Sequence, residues 1–362
     1  MNVIIYGAQG YALGAYNAIK ALQPERKVLF FMVTSMEGNA PSLCGLDVRM
    51  AADVSEELSD EEKKNTEVLI ATPANVHSQI EMLLERFGFT NHKRLTSQLW
   101  DDMMRHLYSL TGEFATLESV KPGDFAPPVS IYIARSHKDK PLSEPLELSP
   151  YMVPIQVGAA NTNEMIVDFR DDEGVNISLK NGYYCELTGL YWVWKNVLSD
   201  CSDKGEDETY YGFAQYRRML MLDDEDLLRL QKESVDVVLP YPLLYDPDIN
   251  KHHERYISDS DWQAMLAAVR ELQPEYAEAF EVILRQRYLY NYNVILARRE
   301  VLRDYCNWLF PILEKTEELS VPKGCERSDR YIGYMGETLE TLYFMKNAKH
   351  LKIVHTGCKL YV

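Results

Sequence analysis

Tyr216, Arg217 and Arg218 stand in the run "YYGFAQYRRML" (210–220), which begins with the aromatic and small residues of a buried strand. Arginine keeps its charge and carries five donors in a rigid fork, so two in succession at a strand end point to a surface or to a bound anion. Other side chains capable of chemistry occupy comparable positions. Ser136, His137 and Lys138 follow the strand 129–134, at the end where open α/β sheets hold ligands; a partly buried structural role is the alternative for His137. Asp171, Asp172 and Asn176 lie in the polar loop "DFRDDEGVNIS" (168–178), able to bond a polar ligand or one another. Glu186 falls in the first turn of a helix predicted over 183–198, where a carboxylate also suits the helix dipole. His252 and His253 occupy a loop between strand and helix. Glu337 follows Gly333 and Gly336 at a predicted helix start, where backbone can approach a ligand closely; helix capping is the competing account.

Elements must position these groups, and the composition bounds what those elements are. At 362 residues, with 46% hydrophobic and 26% charged residues, the chain reads as globular and as two domains. Its 24 tyrosines and 5 tryptophans supply flat amphipathic surfaces suited to a polar ligand. A formal charge of −17 opposes nucleic acid and anionic lipid as general partners, so any anion site is local. The six cysteines show no C-x-x-C pair and no even spacing, which predicts reduced thiols rather than a zinc cluster or a disulfide framework. The start "MNVIIYGAQG" lacks the features of a signal peptide and no run approaches about 18 apolar residues, so a cytoplasmic location is expected.

Residues 3–22, "VIIYGAQGYALGAYNAIKAL", read as strand, glycine turn and helix, the opening of a βαβ unit. Gly7, Gly10 and Gly14 depart from the G-x-G-x-x-G fingerprint, and the next strand ends in Thr34 and Ser35 where a carboxylate would meet a ribose. Residues 1–118 therefore read as a small Rossmann-like domain whose role is structural or regulatory, or nucleotide binding; an NAD-dependent oxidoreductase is disfavoured. The stretch 119–128, rich in proline, reads as a linker. Residues 129–362 read as a second α/β domain. It has a doubly buried strand "VDVVLPYP", a helix capped by Ser260 with Gln263, a further helix opened by Pro274, and a helix "EVLRDYCNWLFPILEKTEE" broken or bent near Pro311.

"MVPIQVGAA", "DDEGVNISLKNGYYCELTGLYWVWKN", "YYGFAQYRRML", "YNYNVILARREVLRDYCNWLFPILEK" and "YIGYMGETLETLYF" occur in an order and spacing that closely resemble a bacterial family. It is catalogued as a domain of unknown function, recurs in capsular and exopolysaccharide biosynthesis, and is regarded as glycosyltransferases. The resemblance runs from about Val129 to the C-terminus and does not cover the first 118 residues. It implies a GT-A-like domain with a Rossmann-type sheet that binds a sugar nucleotide. The family usually has histidine before Tyr-Arg-Arg, where this chain has Gln215. That substitution leaves a catalytically silent sugar-nucleotide-binding or assembly module as the alternative to an active enzyme.

From the resemblance, the expected activity is transfer of a hexosyl unit, galactofuranosyl being one candidate, from a uridine diphosphate sugar to a surface glycan or lipid-linked glycan. Arg217 and Arg218 are expected to clamp the diphosphate, with Gln215 and Glu186 also on the donor. His137, Asp171, Asp172 and Asn176 are expected on the nucleoside side, His252 and His253 at the acceptor, and Glu337 as the catalytic carboxylate. The metal requirement stays open between manganese or magnesium on Asp246-Pro247-Asp248 and a metal-independent clamp, which is favoured; the D-x-D also reads as a simple turn. Lys346, Lys349, Lys352 and Lys359 suit peripheral contact with the inner face of the cell membrane, or a solvated edge strand.

Overall fold

The computed structural model describes residues 2–142, 144–146, 148–199, 209–231, 235–321 and 327–362. The chain divides into two compact units, Met1–Phe114 with Leu243–Asp246 and Val362, and Ala115–Pro242 with Pro247–Tyr361. The architecture is α/β in both: an N-terminal Rossmann-like unit, and a larger unit with the mixed sheet expected of a GT-A-like domain.

The first unit is built on a sheet in the spatial order Ser42–Leu43, Leu46–Met50, Lys27–Val33, Asn2–Tyr6, Thr66–Ile70, His92–Arg94. Apart from the short 42/46 hairpin, neighbours run parallel. Val3, Ile4 and Ile5 are wholly buried, as a strand covered on both faces requires. The glycines serve packing. Gly7 has φ +126, and a Cβ there would lie 2.6 Å from the Ala71 carbonyl oxygen; a Cβ at Gly14 would lie 2.2 Å from the Trp100 ring. A Cβ on Gly10 would meet Leu243 of the same unit at 3.0 Å. The glycine turn is thus filled by protein contacts.

In the second unit the main path of the sheet runs Ile353–Thr356, Val237–Pro240, Ile295–Arg298, Tyr210–Gln215, Val129–Arg135, Met152–Gln156, Phe169–Arg170. Ile295–Arg298 is antiparallel to both neighbours; the other pairs on this path are parallel. The chain leaves Val129–Arg135 toward one side of the sheet and later returns to lay Tyr210–Gln215 on the other. The carboxyl ends of these two strands therefore form a topological switch point, where a crevice opens.

Several local expectations change. The "YYGFAQYRRML" run is a tight hairpin, with Gln215 opposite Arg218 and Arg218–Leu220 running back to pair with Cys358–Leu360. The helix expected over 183–198 is three pieces, Asn181–Tyr184, Leu187–Val193 and a π-helical Trp194–Leu198, interrupted where Cys185 takes φ +55. Ser258, rather than Ser260, caps the helix Asp259–Leu272 by accepting from the Asp261 N–H. Arg299–Leu319 runs helical through Pro311. The stretch expected as a linker is fastened to the second unit: the Val120 carbonyl accepts from Arg229 and the Gly123 N–H donates to Leu228. Leu117, 2% exposed, already belongs to that unit's core, which moves the division ahead of residue 118.

Candidate functional site

A cavity of about 350 Å³ opens at the switch point, within the range of small-molecule sites. Its floor is the two strand ends, Ala134 to Ser136 and Gln215 to Tyr216. Arg135, Lys138 and Arg330 bring positive charge to the wall, and Glu186 and Asp139 bring carboxyls. Arg135 bonds Asp139 at 3.0 Å, and the Tyr216 hydroxyl accepts from the Lys140 N–H, which pins the loop 136–140. Burial pushes the Asp139 pKa up, against the lowering by Ser136 and Arg135.

Glu186 reaches this wall because of the break before it. With Cys185 at φ +55 the chain turns sharply, and Glu186 takes the N-cap position of the next helix. Arg330, itself at φ +66, precedes the helix Tyr331–Asn347 and donates from Nε to Cys185 Sγ at 3.3 Å. Burial pushes the Cys185 thiol up to about 12, so it stays protonated and accepts this bond as a neutral group.

Behind Glu186 stands Glu337, in the second turn of that helix rather than at its start. Asn293 Nδ2 donates to Glu186 Oε1 at 2.8 Å, and Asn291 Nδ2 to Glu337 Oε2 at 3.2 Å. Burial, then the neighbouring Glu186 charge, push the Glu337 pKa up to about 8; burial also raises that of Glu186. Near neutral pH Glu337 is mostly protonated, so the two carboxyls titrate as a pair. Glu340, 0% exposed on the same helix, has neither carboxyl oxygen hydrogen-bonded, and burial holds its pKa well above the usual range. It sits in the core as a neutral acid.

Among the residues singled out from sequence, Glu186 and Gln215 line the cavity, and Glu337 lies close behind. Gln215 Nε2 donates to the Tyr292 carbonyl at 2.7 Å. Arg217 and Arg218 are not on the lining. Arg217 Nε donates to the Tyr361 carbonyl at 3.1 Å, and the Arg218 guanidinium lies 4.0 Å from the Tyr292 ring centre. His137 is flanked by lining residues, but its Nδ1 is buried without a hydrogen-bond partner.

The polar loop 168–178 is bonded to itself and to the core. Asp171, 0% exposed, accepts from the Gly158 and Ala159 N–H groups and from the hydroxyls of Ser178 and Thr188. That uses its carboxylate fully, as a structural anchor. Asp172 pairs with Arg170 through two bonds of 3.0 and 2.7 Å, and Asn176 bonds the Asp172 and Gly174 carbonyls. His253 stacks on Trp262 with ring centres 3.9 Å apart, and His252, pushed down to about 4 by burial, packs against Tyr256. Neither histidine lines this cavity. Asp248 caps the turn Ile249–His252 by accepting from Lys251 N–H at 2.8 Å, as a turn aspartate does. Among the described residues no three His, Cys, Asp or Glu groups converge as a metal site.

Sequence reading missed Arg330, Arg135, Asn291 and Asn293. The signal for the asparagines was the "NYN" run, since asparagine tolerates the left-handed backbone that a non-glycine turn needs. Tyr292 at φ +80 and Asn293 at φ +51 both adopt it. For a tyrosine this costs on the order of 1–2 kcal/mol, and such strain collects at functional sites.

A model of the family described as a domain of unknown function, DUF4422, matches residues 130–348. The solved apo structure of the WbbM bifunctional glycosyltransferase is similar to this chain at 29% sequence identity and TM-score 0.54, covering 64% of this chain and 45% of that one. The chain thus spans less than half the length of that relative. No curated protein matches the chain. The family match covers more than half of the sequence, including every strand and helix that builds the cavity, and the chain belongs to the DUF4422 family.

Proposed function

We propose that the second unit is a glycosyltransferase, which moves a hexosyl unit from a uridine diphosphate sugar to the hydroxyl of a glycan or lipid-linked glycan. The observation that carries this reading is a cavity at the switch point whose wall sets three cations beside the Glu186 carboxyl, with Glu337 behind it acting on Glu186 as a coupled carboxyl. The similarity to a bifunctional glycosyltransferase supports it.

In this reading Arg330, Arg135 and Lys138 offset the charge of the diphosphate, with each charge-assisted bond worth about 1.5–3 kcal/mol. The acceptor oxygen attacks the anomeric carbon, the bond from that carbon to the phosphate oxygen breaks, and the nucleoside diphosphate leaves with the electron pair. The acceptor proton passes to the Glu186 carboxylate, while Glu337 shares a proton with it and sets when that carboxylate is free. A galactofuranosyl donor, a surface-polysaccharide acceptor and work at the cytoplasmic face of a membrane are the finer form of the proposal. Among the described residues no helix is long and apolar enough to cross a membrane. The proposed clamp is side chains alone, and titration with manganese or magnesium tests that.

The test is release of uridine diphosphate from a panel of uridine diphosphate sugars, with Glu186→Gln as control. Release that falls about 100-fold or more in the variant supports the reading. Binding of the nucleotide without any release favours the silent module. The residue at 215 motivates that second reading, because an amide that donates to the Tyr292 carbonyl and to Glu186 stands where the family usually has histidine.

A further inference from the structure

We propose that the turn Asn291-Tyr292-Asn293 is the positioning element of the site, with Asn293 fixing the Glu186 carboxylate, Asn291 fixing that of Glu337, and Gln215 and Arg218 locking the turn itself. This rests on the reading of the cavity as the place of transfer.

Side chains from four other elements converge on these three. Asn293 Nδ2 donates to Glu186 Oε1 at 2.8 Å and also lies 3.2 Å from the Gly333 carbonyl oxygen. Asn291 Nδ2 donates to Glu337. Between them the Tyr292 carbonyl accepts from Gln215 at 2.7 Å, and the Tyr292 ring lies under the Arg218 guanidinium. Two consecutive non-glycine residues with positive φ do not persist unless their surroundings over-determine them, and these contacts do so.

The helix that carries Glu337 is cut to fit the turn. A Cβ on Gly336 would lie 2.8 Å from Asn293 Oδ1, and one on Gly333 would lie 3.0 Å from Cys185 Sγ. The glycines before Glu337 therefore admit the Asn293 amide and the Cys185 thiol. An amide N–H held against a carboxylate fixes its rotamer and favours its ionised form. The other groups acting on Glu337 are Glu186 and Arg330 across the wall and the Tyr292 backbone; Glu340, on its own helix, is raised in turn by Glu337. Cys185 and Tyr334 complete the surroundings.

The experiment uses the full chain with Asn291→Ala and Asn293→Gly, the latter keeping a residue at ease in the left-handed region. Infrared pH titration, taken as the difference from the same protein carrying Glu337→Gln, reads the protonation of Glu337 without any need for turnover. Uridine diphosphate binding and the pH profile of transfer are measured beside it. The expected result for Asn291→Ala is a Glu337 titration moved upward by about one unit, the size expected for a lost bond to a charged group. The rising limb of the rate profile moves with it. Asn293→Gly is expected to lower turnover about tenfold or more while nucleotide affinity stays within about twofold. An unmoved Glu337 titration in a folded Asn291→Ala protein overturns the proposal, as does a loss of thermal stability without any change in titration or turnover. If the wild type turns over no uridine diphosphate sugar, the transfer reading fails, and the infrared shift still decides whether the turn positions Glu337.

Discussion

Arg218 lies over Tyr292, with its guanidinium carbon 4.0 Å from the ring centre, and so the second arginine of the Tyr-Arg-Arg run braces a turn instead of reaching into the cavity. Arg217 donates from Nε to the Tyr361 carbonyl and is not on the cavity lining. Arg330, distant in sequence, stands at the cavity wall. Arg330→Ala is therefore expected to weaken uridine diphosphate binding by about 10- to 100-fold, the loss of one charge-assisted contact. Arg217→Ala is expected to change it by less than about threefold. Calorimetric titration of the two variants decides, and an equal loss in both would return the clamp to Arg217.

The carboxyl pair predicts a pH profile. Burial, with the Glu186 charge next, raises Glu337 to about 8, so the pair sheds its last proton above neutrality. A carboxylate base works when ionised, so turnover should rise with pH and level off above about 8. In Glu337→Gln that limb should move toward acid, since only Glu186 then titrates. A profile flat from pH 6 to 9 in the wild type would exclude the pair from the rate-limiting step.

His355 predicts how the second unit responds to acid. Its Nδ1 donates to the Ala115 carbonyl at 3.0 Å and its Nε2 accepts from the Tyr290 hydroxyl at 2.8 Å, an arrangement that needs the neutral ring. Burial pushes its pKa down from 6.5 to about 4. In that window the unfolded chain binds the extra proton, so stability is full above pH 6.5 and falls as pH drops toward 4, by about 3 kcal/mol from this group. His355→Gln should lower stability at pH 7 yet flatten that fall. Denaturant melts at pH 7 and 4.5 check it, and parallel pH slopes in both proteins would contradict the assignment.

Much of the fold was legible because it follows from period and punctuation. The apolar runs at Val3–Ile5 and Val237–Leu239 are buried strands, and Gly7 marks the turn after the first. The switch point followed less directly, since strand order is not written in any local pattern. The site was legible in part. Glu186 and Gln215 fall on the cavity lining, but a carboxylate in a polar loop looks the same whether it faces solvent or, like Asp171, is bonded by Gly158, Ala159, Ser178 and Thr188. The places of Arg217 and Arg218 were not legible because their neighbours along the chain say nothing of Tyr361, 144 residues away, or of Tyr292, in the turn before the strand Ile295–Arg298. Arg330 gave no signal, since its place depends on a left-handed residue before a helix that only the fold reveals.

Glu340 carries the last prediction. Its carboxyl group is 0% exposed and neither oxygen has a hydrogen-bond partner, so the folded state holds it neutral while the unfolded chain ionises it above its ordinary value near 4.5. The folded chain then binds more protons than the unfolded one, and stability falls as pH rises above that ordinary value. Methionine matches the length and removes both unsatisfied oxygens, each costing on the order of 1–3 kcal/mol when buried unpaired. Glu340→Met should therefore raise the stability of the second unit by about 1–3 kcal/mol near neutral pH, and by more at pH 9. Because Glu340 stays neutral while Glu337 titrates, the Glu337 titration and the rising limb of turnover should keep their place in the variant. Melts at pH 6 and 9 with the rate profile test both halves. A destabilised variant would mean that Glu340 keeps partners in solution, such as ordered water, and a moved limb would mean that Glu340 is charged while Glu337 titrates.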